Sequence, residues 1–438
     1  MNRTIVGAFW LVVYLIVILS PLFIMMIRPA PAERSFWVEF SVGLGFVGLV
    51  QTAVQFALIA RYKTITAPYG IDLILKYHRQ IATIAIALLI AHPVILVIHN
   101  PALLSLLNPV GGSMASRAGN WALYTFILLA LLSHFRQRIR LDYEVWRVTH
   151  AGLAILAILL SHAHIRLSAY YTATPWKHGV LIGISVVMIA SLGYLRLIKP
   201  AFMRRRPYRV VNVAADRGDT WRLTVEARGH DGMRFKPGQF AWLKLGPSPY
   251  SVEEHPFSFS SSAQDPERLE FGIKELGDFT GAIGSLPAGT TAYLDGPHGA
   301  FSPDLEPAAG YVFYAGGVGI TPFISMLRTL ADRGDKRPIL LFYGDKSWEE
   351  TAFTDTLAGL VERLDLTIVY VLENPPEAWD DEEGFIDADV LERRLPDEGI
   401  ERLHLICGPA PMLAAVEAAL QERAVPLRLI RFERFDLV

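Results

Sequence analysis

The chain has 438 residues, room for about three domains. Hydrophobic residues make up 52% and charged residues 19%, against roughly 25% charged in an ordinary soluble protein. The net charge of -2 hides an asymmetry: residues 1–200 carry 16 Lys+Arg against 5 Asp+Glu, and residues 201–438 carry 25 against 38. An apolar, basic front half therefore precedes an acidic, ordinary back half, which excludes a disordered chain and a single small domain. The front-half cations lie in short loops between apolar runs, without interleaved aromatics, so no nucleic-acid partner is expected. One cysteine, Cys407, excludes a disulfide framework and any Cys-rich zinc or iron–sulfur site.

Six apolar runs fill the front half: Thr4–Ile27, Ser35–Ala60, Leu75–Ile98, Ala118–Phe135, Val145–Ile165 and Trp176–Leu197. About 20 helical residues cross a hydrocarbon core of about 30 Å, so these are expected to be six spans in a lipid bilayer. The first is read as a span and not a signal peptide: its apolar core is too long and Ile27-Arg28-Pro29 offers no small-residue cleavage site. Cations concentrate after the even-numbered runs: Arg61, Lys63, Lys76 and Arg79; then Arg136, Arg138, Arg140 and Arg147; then Arg196, Lys199 and Arg204–Arg206. The positive-inside rule therefore expects both termini and the back half on the cytoplasmic side of a plasma or inner membrane.

Ionisable residues inside spans are functional candidates. Run three holds His78 and His92; run five holds His150, His162 and His164. A spacing of 14 returns to within about 40° of one helix face and rises about 21 Å. Both His78/His92 and His150/His164 have that spacing, and the two runs cross in the same direction. Two His–His pairs are therefore expected at two depths, His78 with His150 near the inner leaflet and His92 with His164 near the outer. Neutral imidazoles so paired suit the iron of two six-coordinate b-type haems. A single histidine would be read as interhelical hydrogen bonding; four at matched spacing and depth favour metal ligation. His162 points about 120° from His150 and would need a distorted helix to replace His164.

In the back half, Tyr208–Val213, Trp221–Ala227 and Gln239–Leu245 read as short strands of a small antiparallel barrel or sandwich. His255-Pro256-Phe257-Ser258-Phe259-Ser260-Ser261-Ser262, Gly277-Asp278-Phe279-Thr280 and Gly296-Pro297-His298-Gly299 follow. From Gly310 strands alternate with helices. Tyr311–Ala315 runs into Gly316-Gly317-Val318-Gly319-Ile320-Thr321-Pro322 and an apolar helix, an arrangement that lets backbone approach a pyrophosphate. Strands Pro338–Tyr343, Leu366–Leu372, Leu403–Cys407 and Leu427–Phe432 complete a parallel, doubly wound sheet. No catalytic triad or carboxylate pair is present, and Cys407 is read as a buried small hydrophobe.

This ordered set of segments resembles the ferredoxin-NADP reductase superfamily, and His255-Pro256-Phe257-Ser258 is similar to the variant found in transmembrane ferric reductases and NADPH oxidases. The resemblance covers nearly the whole chain. It implies a multi-domain membrane protein: a six-helix haem domain (1–200), an antiparallel β-barrel FAD domain (205–304) and an α/β doubly wound NAD(P) domain (308–438). It implies that His255–Ser258 and Ser260–Ser262 line FAD, and that Gly277 and Thr280 hold its pyrophosphate. Gly316, Gly317, Gly319, Thr321 and Pro322 would cradle the dinucleotide, with Cys407, Gly408 and Pro409 near the nicotinamide. Pro237-Gly238-Gln239-Phe240 matches the barrel signature. Lys346 is the candidate for the 2′-phosphate of NADPH, with NADH the alternative because Asp345, Glu349 and Glu350 surround it. Phe435 is the candidate flavin cover, although three residues follow it. The activity implied is electron transfer from cytoplasmic NAD(P)H through FAD and two haems to an outer-face small molecule. Oxygen, a ferric or cupric chelate and a quinone all fit, as does relay to a partner protein, though none is required.

Overall fold

The computed structural model describes residues 3–27, 34–66, 69–305 and 307–434. The chain forms two compact units. One comprises residues 1–69 and 73–199, and the other residues 70–72 and 200–438.

Among the described residues of the first unit, six helices are long and apolar enough to cross a membrane. They are spans 1 to 6: Arg3–Met26, Phe36–Ile59, Ile71–His99, Met114–Phe135, Tyr143–Ser168 and Pro175–Gly193. Several extend a turn beyond the apolar runs, because local chemistry at their ends completes the backbone. The Ser113 hydroxyl accepts from the Ser116 N–H at 3.1 Å and starts span 4. Ala169, in the left-handed region, donates to the Ile165 carbonyl and ends span 5. Span 3 continues through Pro93; a lost backbone bond is tolerated where neighbours re-satisfy it.

Apolar packing ties the spans together, with span 3 joining through Ile86. Phe46, Val50 and Val54 of span 2 meet Ile18 and Met25 of span 1 and Leu181 of span 6. On its other side span 2 places Leu49, Ala53 and Phe56 against Leu129, Ala154 and Ile158 of spans 4 and 5. Span 3 is the outlier: 6% of its apolar window is buried within protein, against 50% for span 2.

The second unit begins with six antiparallel strands: β1 (Tyr208–Asp216), β2 (Thr220–Ala227), β3 (Phe240–Leu245), β4 (His255–Ser258), β5 (Arg268–Lys274) and β6 (Thr291–His298). Their order is β4-β3-β6-β1-β2-β5. A bridge between Phe259 and Phe271 joins the two edges into a barrel. Its core is Leu223, Val225, Leu243, Phe259, Phe271 and their neighbours.

Six strands then form a parallel sheet: β7 (Tyr311–Gly316), β8 (Ile339–Asp345), β9 (Leu366–Leu372), β10 (Glu382–Glu383), β11 (Leu403–Cys407) and β12 (Ile430–Glu433). The order β10-β9-β8-β7-β11-β12 steps outward from β7 in both directions. It therefore has a switch point between β7 and β11, where ligands bind in such sheets. Apolar clusters cover both faces, as continuous runs such as Tyr311–Ala315 require.

Candidate functional site

In the helical unit, the His78 and His150 rings stand 6.4 Å apart, centroid to centroid. The His92 and His164 rings stand 6.5 Å apart. A metal–imidazole bond of about 2 Å on each side, plus about 1 Å of each ring, places two axial imidazoles about 6 Å apart. Both pairs fit a single iron between them.

The hydrogen bonds fix which ring nitrogen is left over. His92 Nδ1 lies 3.0 Å from the Ser41 carbonyl oxygen, and the Ser41 hydroxyl donates to the His92 carbonyl at 2.7 Å. His164 Nδ1 donates to the Ala115 carbonyl at 2.8 Å. The Ser133 hydroxyl donates to the Leu129 carbonyl at 2.8 Å, so at 3.0 Å it accepts from His150 Nδ1. Each contact keeps the proton on Nδ1 and the lone pair on Nε2, the tautomer and support that a metal-bound histidine needs. His78 Nδ1 is buried without a partner.

Two glycines let the outer rings seat. A Cβ on Gly45 would meet His92 at 3.3 Å, and one on Gly119 would meet His164 Nδ1 at 2.8 Å. His162 turns the other way: its Nε2 is 2.9 Å from the Ser185 hydroxyl, and its ring lies 5.6 Å from that of His178. The helix is regular between His150 and His164, so His164, not His162, reaches His92. Among the described residues no cluster of three or more His, Cys, Asp or Glu side chains could hold a metal ion.

In the barrel, the His255 and Phe279 rings lie 4.2 Å apart, and Phe257 and Phe279 are stacked at 6.1 Å. Phe279, inside the Gly-Asp-Phe-Thr motif, thus joins the aromatic face; reading that motif only for its donors misses it. The Ser258 and Ser261 hydroxyls are buried without partners, donors and acceptors that a polar cofactor would satisfy. Ser260 is committed elsewhere, donating to Glu270 at 2.9 Å, and the Ser262 hydroxyl accepts from the Gln264 N–H. The Gly277-Thr280 turn is also closed on itself. The Thr280 hydroxyl accepts from the Leu276 and Gly277 N–H groups at 2.8 and 3.0 Å and donates to the Gly277 carbonyl.

In the parallel sheet, β7 ends at Gly316 and the helix Thr321–Asp332 follows a one-turn 3₁₀ segment. Gly317 has φ +53°, and nothing lies within 4 Å of where a Cβ would sit, so it is left-handed and open. The other glycines serve close approach: a Cβ on Gly319 would stand 2.3 Å from the Cys407 carbonyl oxygen, and one on Gly316 would meet Met412 and Pro409 at 2.7 Å. The glycine turn and Cys407-Gly408-Pro409 therefore meet at the switch point. Pro322 opens the helix, where its missing N–H costs nothing. Cys407 is fully buried, and burial, then the Glu433 carboxylate, pushes its thiol well above the usual range. It is a packing residue with no thiolate to offer. Lys346 is exposed, just beyond β8. Asp345 accepts from the Lys346 N–H at 2.9 Å, and burial raises its carboxyl to about 6. Phe435 lies outside the described residues.

Three family models match in sequence: a ferric reductase like transmembrane component over residues 44–161, an FAD-binding domain over 206–299 and an oxidoreductase NAD-binding domain over 313–418. The reductase component of propane 2-monooxygenase from Rhodococcus jostii is 32% identical over 213 residues, 47% of this chain and 56% of that protein. NADH-cytochrome b5 reductase 1 from Dictyostelium discoideum is 30% identical over 172 residues, 38% of this chain and 59% of that protein. The chain thus spans little more than half the length of these relatives. The cytochrome b5 reductase domain of Ulva prolifera nitrate reductase superposes with TM-score 0.46 at 19% identity, over 52% of this chain and 98% of that one. With a ferric-reductase-like membrane domain followed by FAD- and NAD-binding domains, the chain matches the ferric reductase/NADPH oxidase-like family, built on a ferredoxin-reductase-type module.

Proposed function

We propose that this membrane oxidoreductase carries electrons from NAD(P)H through FAD and two bis-histidine b-type haems to oxygen or a ferric chelate on the far side. The observation that carries the reading is the pair of His–His contacts, 6.4 and 6.5 Å between rings, on the same two helices. When bound, FAD accepts a two-electron hydride and releases electrons singly, and the haems relay them across the bilayer. The chain's own residues bind and orient. His78 with His150 and His92 with His164 would each supply a pair of imidazole nitrogens to a haem iron, with His150, His92 and His164 held by Ser133, Ser41 and the Ala115 carbonyl. The His255–Phe257–Phe279 face and the two unpartnered serine hydroxyls receive the flavin. The glycine turn and the start of the Thr321–Asp332 helix receive the dinucleotide. The loop charges support a cytoplasmic reductase unit.

Turnover by the purified chain with NAD(P)H and either oxygen or ferric citrate tests the reading. The expected result is superoxide or ferrous ion without any other protein. Haem reduction with no turnover of either acceptor would instead mark a relay to a quinone or partner.

Asp345 moves the nucleotide preference toward NADH. A carboxylate at the end of the second strand suits a ribose 2′-hydroxyl and repels a 2′-phosphate, and the relatives named above include an NADH reductase. Because folding raises the Asp345 carboxyl to about 6, that repulsion is full above this pH and fades below it. The kcat/KM ratio of NADH over NADPH should therefore fall as pH drops through about 6. Asp345→Asn should show a lower ratio at pH 7.5, and its remaining slope reports the 2′-phosphate's own titration near about 6. A ratio unchanged by the substitution refutes the role. The same raised carboxyl makes the folded state bind its proton more tightly than the unfolded chain. Its cost to stability is absent near pH 4 and complete above about 6. Asp345→Asn should thus melt higher than the parent at pH 7.5, with the gap closing as pH falls toward 4.

A further inference from the structure

We propose that Arg328 is a positioning residue that holds the flavin-lining strand in register with the nucleotide turn; this rests on the sites proposed above. Thr321, Ser325, Arg328 and Thr329 share one face of the Thr321–Asp332 helix, by their spacing of three and four. The helix begins at the glycine turn, where the Thr321 hydroxyl donates to the Val318 carbonyl at 2.9 Å. One turn on, the Ser325 hydroxyl donates to the Ser261 carbonyl at 2.8 Å. One turn further, the Arg328 guanidinium donates to the Ser260 carbonyl at 2.9 Å and to Glu270 at 2.6 Å. Glu270 also accepts from the Ser260 hydroxyl at 2.9 Å. The Thr329 hydroxyl accepts from the Ala263 N–H at 2.9 Å.

One rigid element therefore carries the nucleotide turn at its first residue and grips residues 260–263 about 10 Å further along. Within the gripped segment the Ser261 hydroxyl is buried and unpartnered, as is that of Ser258 just before it. Ser261 shows the division of labour: its carbonyl is tied to the helix while its hydroxyl is left for a ligand. Arg328 is the strongest tie, a charge-assisted contact to a carboxylate with both side chains mostly buried, at 23% and 18% exposure. Neither group exchanges protons or electrons with the cofactors. With both cofactors bound, hydride transfer would supply the redox chemistry; what the strut sets is the placement of the residues that would hold one cofactor relative to those that would hold the other, and a misplacement of about 1 Å can cost about 100-fold in rate.

The test uses the full-length protein in detergent, loaded with FAD and haem. In Arg328→Met, anaerobic stopped-flow should show flavin reduction by NADH slowed about 10- to 100-fold per bound FAD. The NADH dissociation constant should change less than about threefold, and the long-wavelength nicotinamide–flavin charge-transfer absorbance should weaken. Arg328→Lys should recover part of both. Hydrogen exchange of the FAD-free protein should quicken at residues 259–263 in the Met variant. Thr329→Val, which removes one hydrogen bond at nearly constant volume, should shift rate and absorbance in the same direction if the Met variant fails to fold. Arg333→Ala, which breaks only the exposed pair with Asp304 at the end of the same helix, should match the parent. A parental rate and absorbance in Arg328→Met, or equal slowing in Arg333→Ala, overturns the positioning role. A parent protein that takes up no FAD sinks the underlying site reading, and the inference with it.

Discussion

His164→Ala should lower the haem count from two to one, measured as pyridine haemochrome per FAD, and cut electron delivery to an outer-face acceptor at least about 100-fold. Reduction of the bound flavin by NAD(P)H should be unchanged. The expectation follows from the outer pair: His164 is 6.5 Å from His92, its Nδ1 is tied to the Ala115 carbonyl, and Gly119 clears the space for its ring. No neighbour can stand in. His162, two residues earlier, is turned to Ser185 and His178 on span 6. To reach His92 it would have to abandon that contact and swing about 160° around the helix. His162→Ala should therefore keep both haems. Gly119→Val should mimic His164→Ala in part, because its side chain would push the ring out of line. Loss of a haem in His162→Ala, with retention in His164→Ala, would reverse the assignment.

Gly319→Ala should disable the nucleotide site with the flavin site intact. The added methyl would stand 2.3 Å from the Cys407 carbonyl oxygen. That neighbour is backbone of a central strand between β7 and β12 and cannot swing aside. Overpacking of this kind costs about 1–3 kcal/mol or more, and relief requires the turn to move away from Gly408. The KM for NAD(P)H should rise at least about tenfold, or kcat fall by as much, while FAD remains bound. Gly317→Ala is the contrast. Its φ of +53° makes a side chain strained, yet nothing lies within 4 Å, so the cost is only about 1 kcal/mol. Titration of both variants with NADH, with flavin fluorescence as the control for FAD, distinguishes steric closure from general unfolding. Equal effects of the two substitutions would contradict this account of the turn.

Much of the fold and of the histidine site is legible in the sequence because the informative signals are periodic or local. Fourteen-residue spacing puts His78 and His92, or His150 and His164, on one face whatever surrounds them, and an apolar run of span length needs no tertiary context. The turn at Gly316–Thr321 announces itself between a strand and a helix. What escapes depends on contacts distant in sequence. Ser41 and Ser133 are polar residues in apolar helices, beside others such as Gln51 and Asn120, a signal that points to partners without naming His92 or His150. Arg328 and Glu270 are 58 residues apart, on a helix and a strand of different domains, and each alone looks like an ordinary surface charge. Strand β6 is hard to read beside the motifs flanking it, since Thr291–His298 hardly alternates and Gly296-Pro297 interrupts it, whereas β5 does alternate, with Leu269, Phe271 and Ile273 buried. The Thr280 hydroxyl has a further role that the motif does not announce: in the folded chain it completes its own turn.

Vectorial electron transfer through the two histidine pairs can be measured across a sealed membrane. The full-length protein, loaded with haem and FAD, is reconstituted into vesicles with ferricyanide trapped inside. NADH is added outside, where it reaches only outward-facing reductase units. The trapped ferricyanide should be reduced at a rate that tracks the outward-facing fraction, with haem α-band absorbance rising once it is exhausted. No such transfer should occur in vesicles holding His92→Leu or His164→Ala. Reduction of the flavin by NADH with both haems left oxidised and the trapped ferricyanide untouched would contradict electron transfer through the histidine pairs.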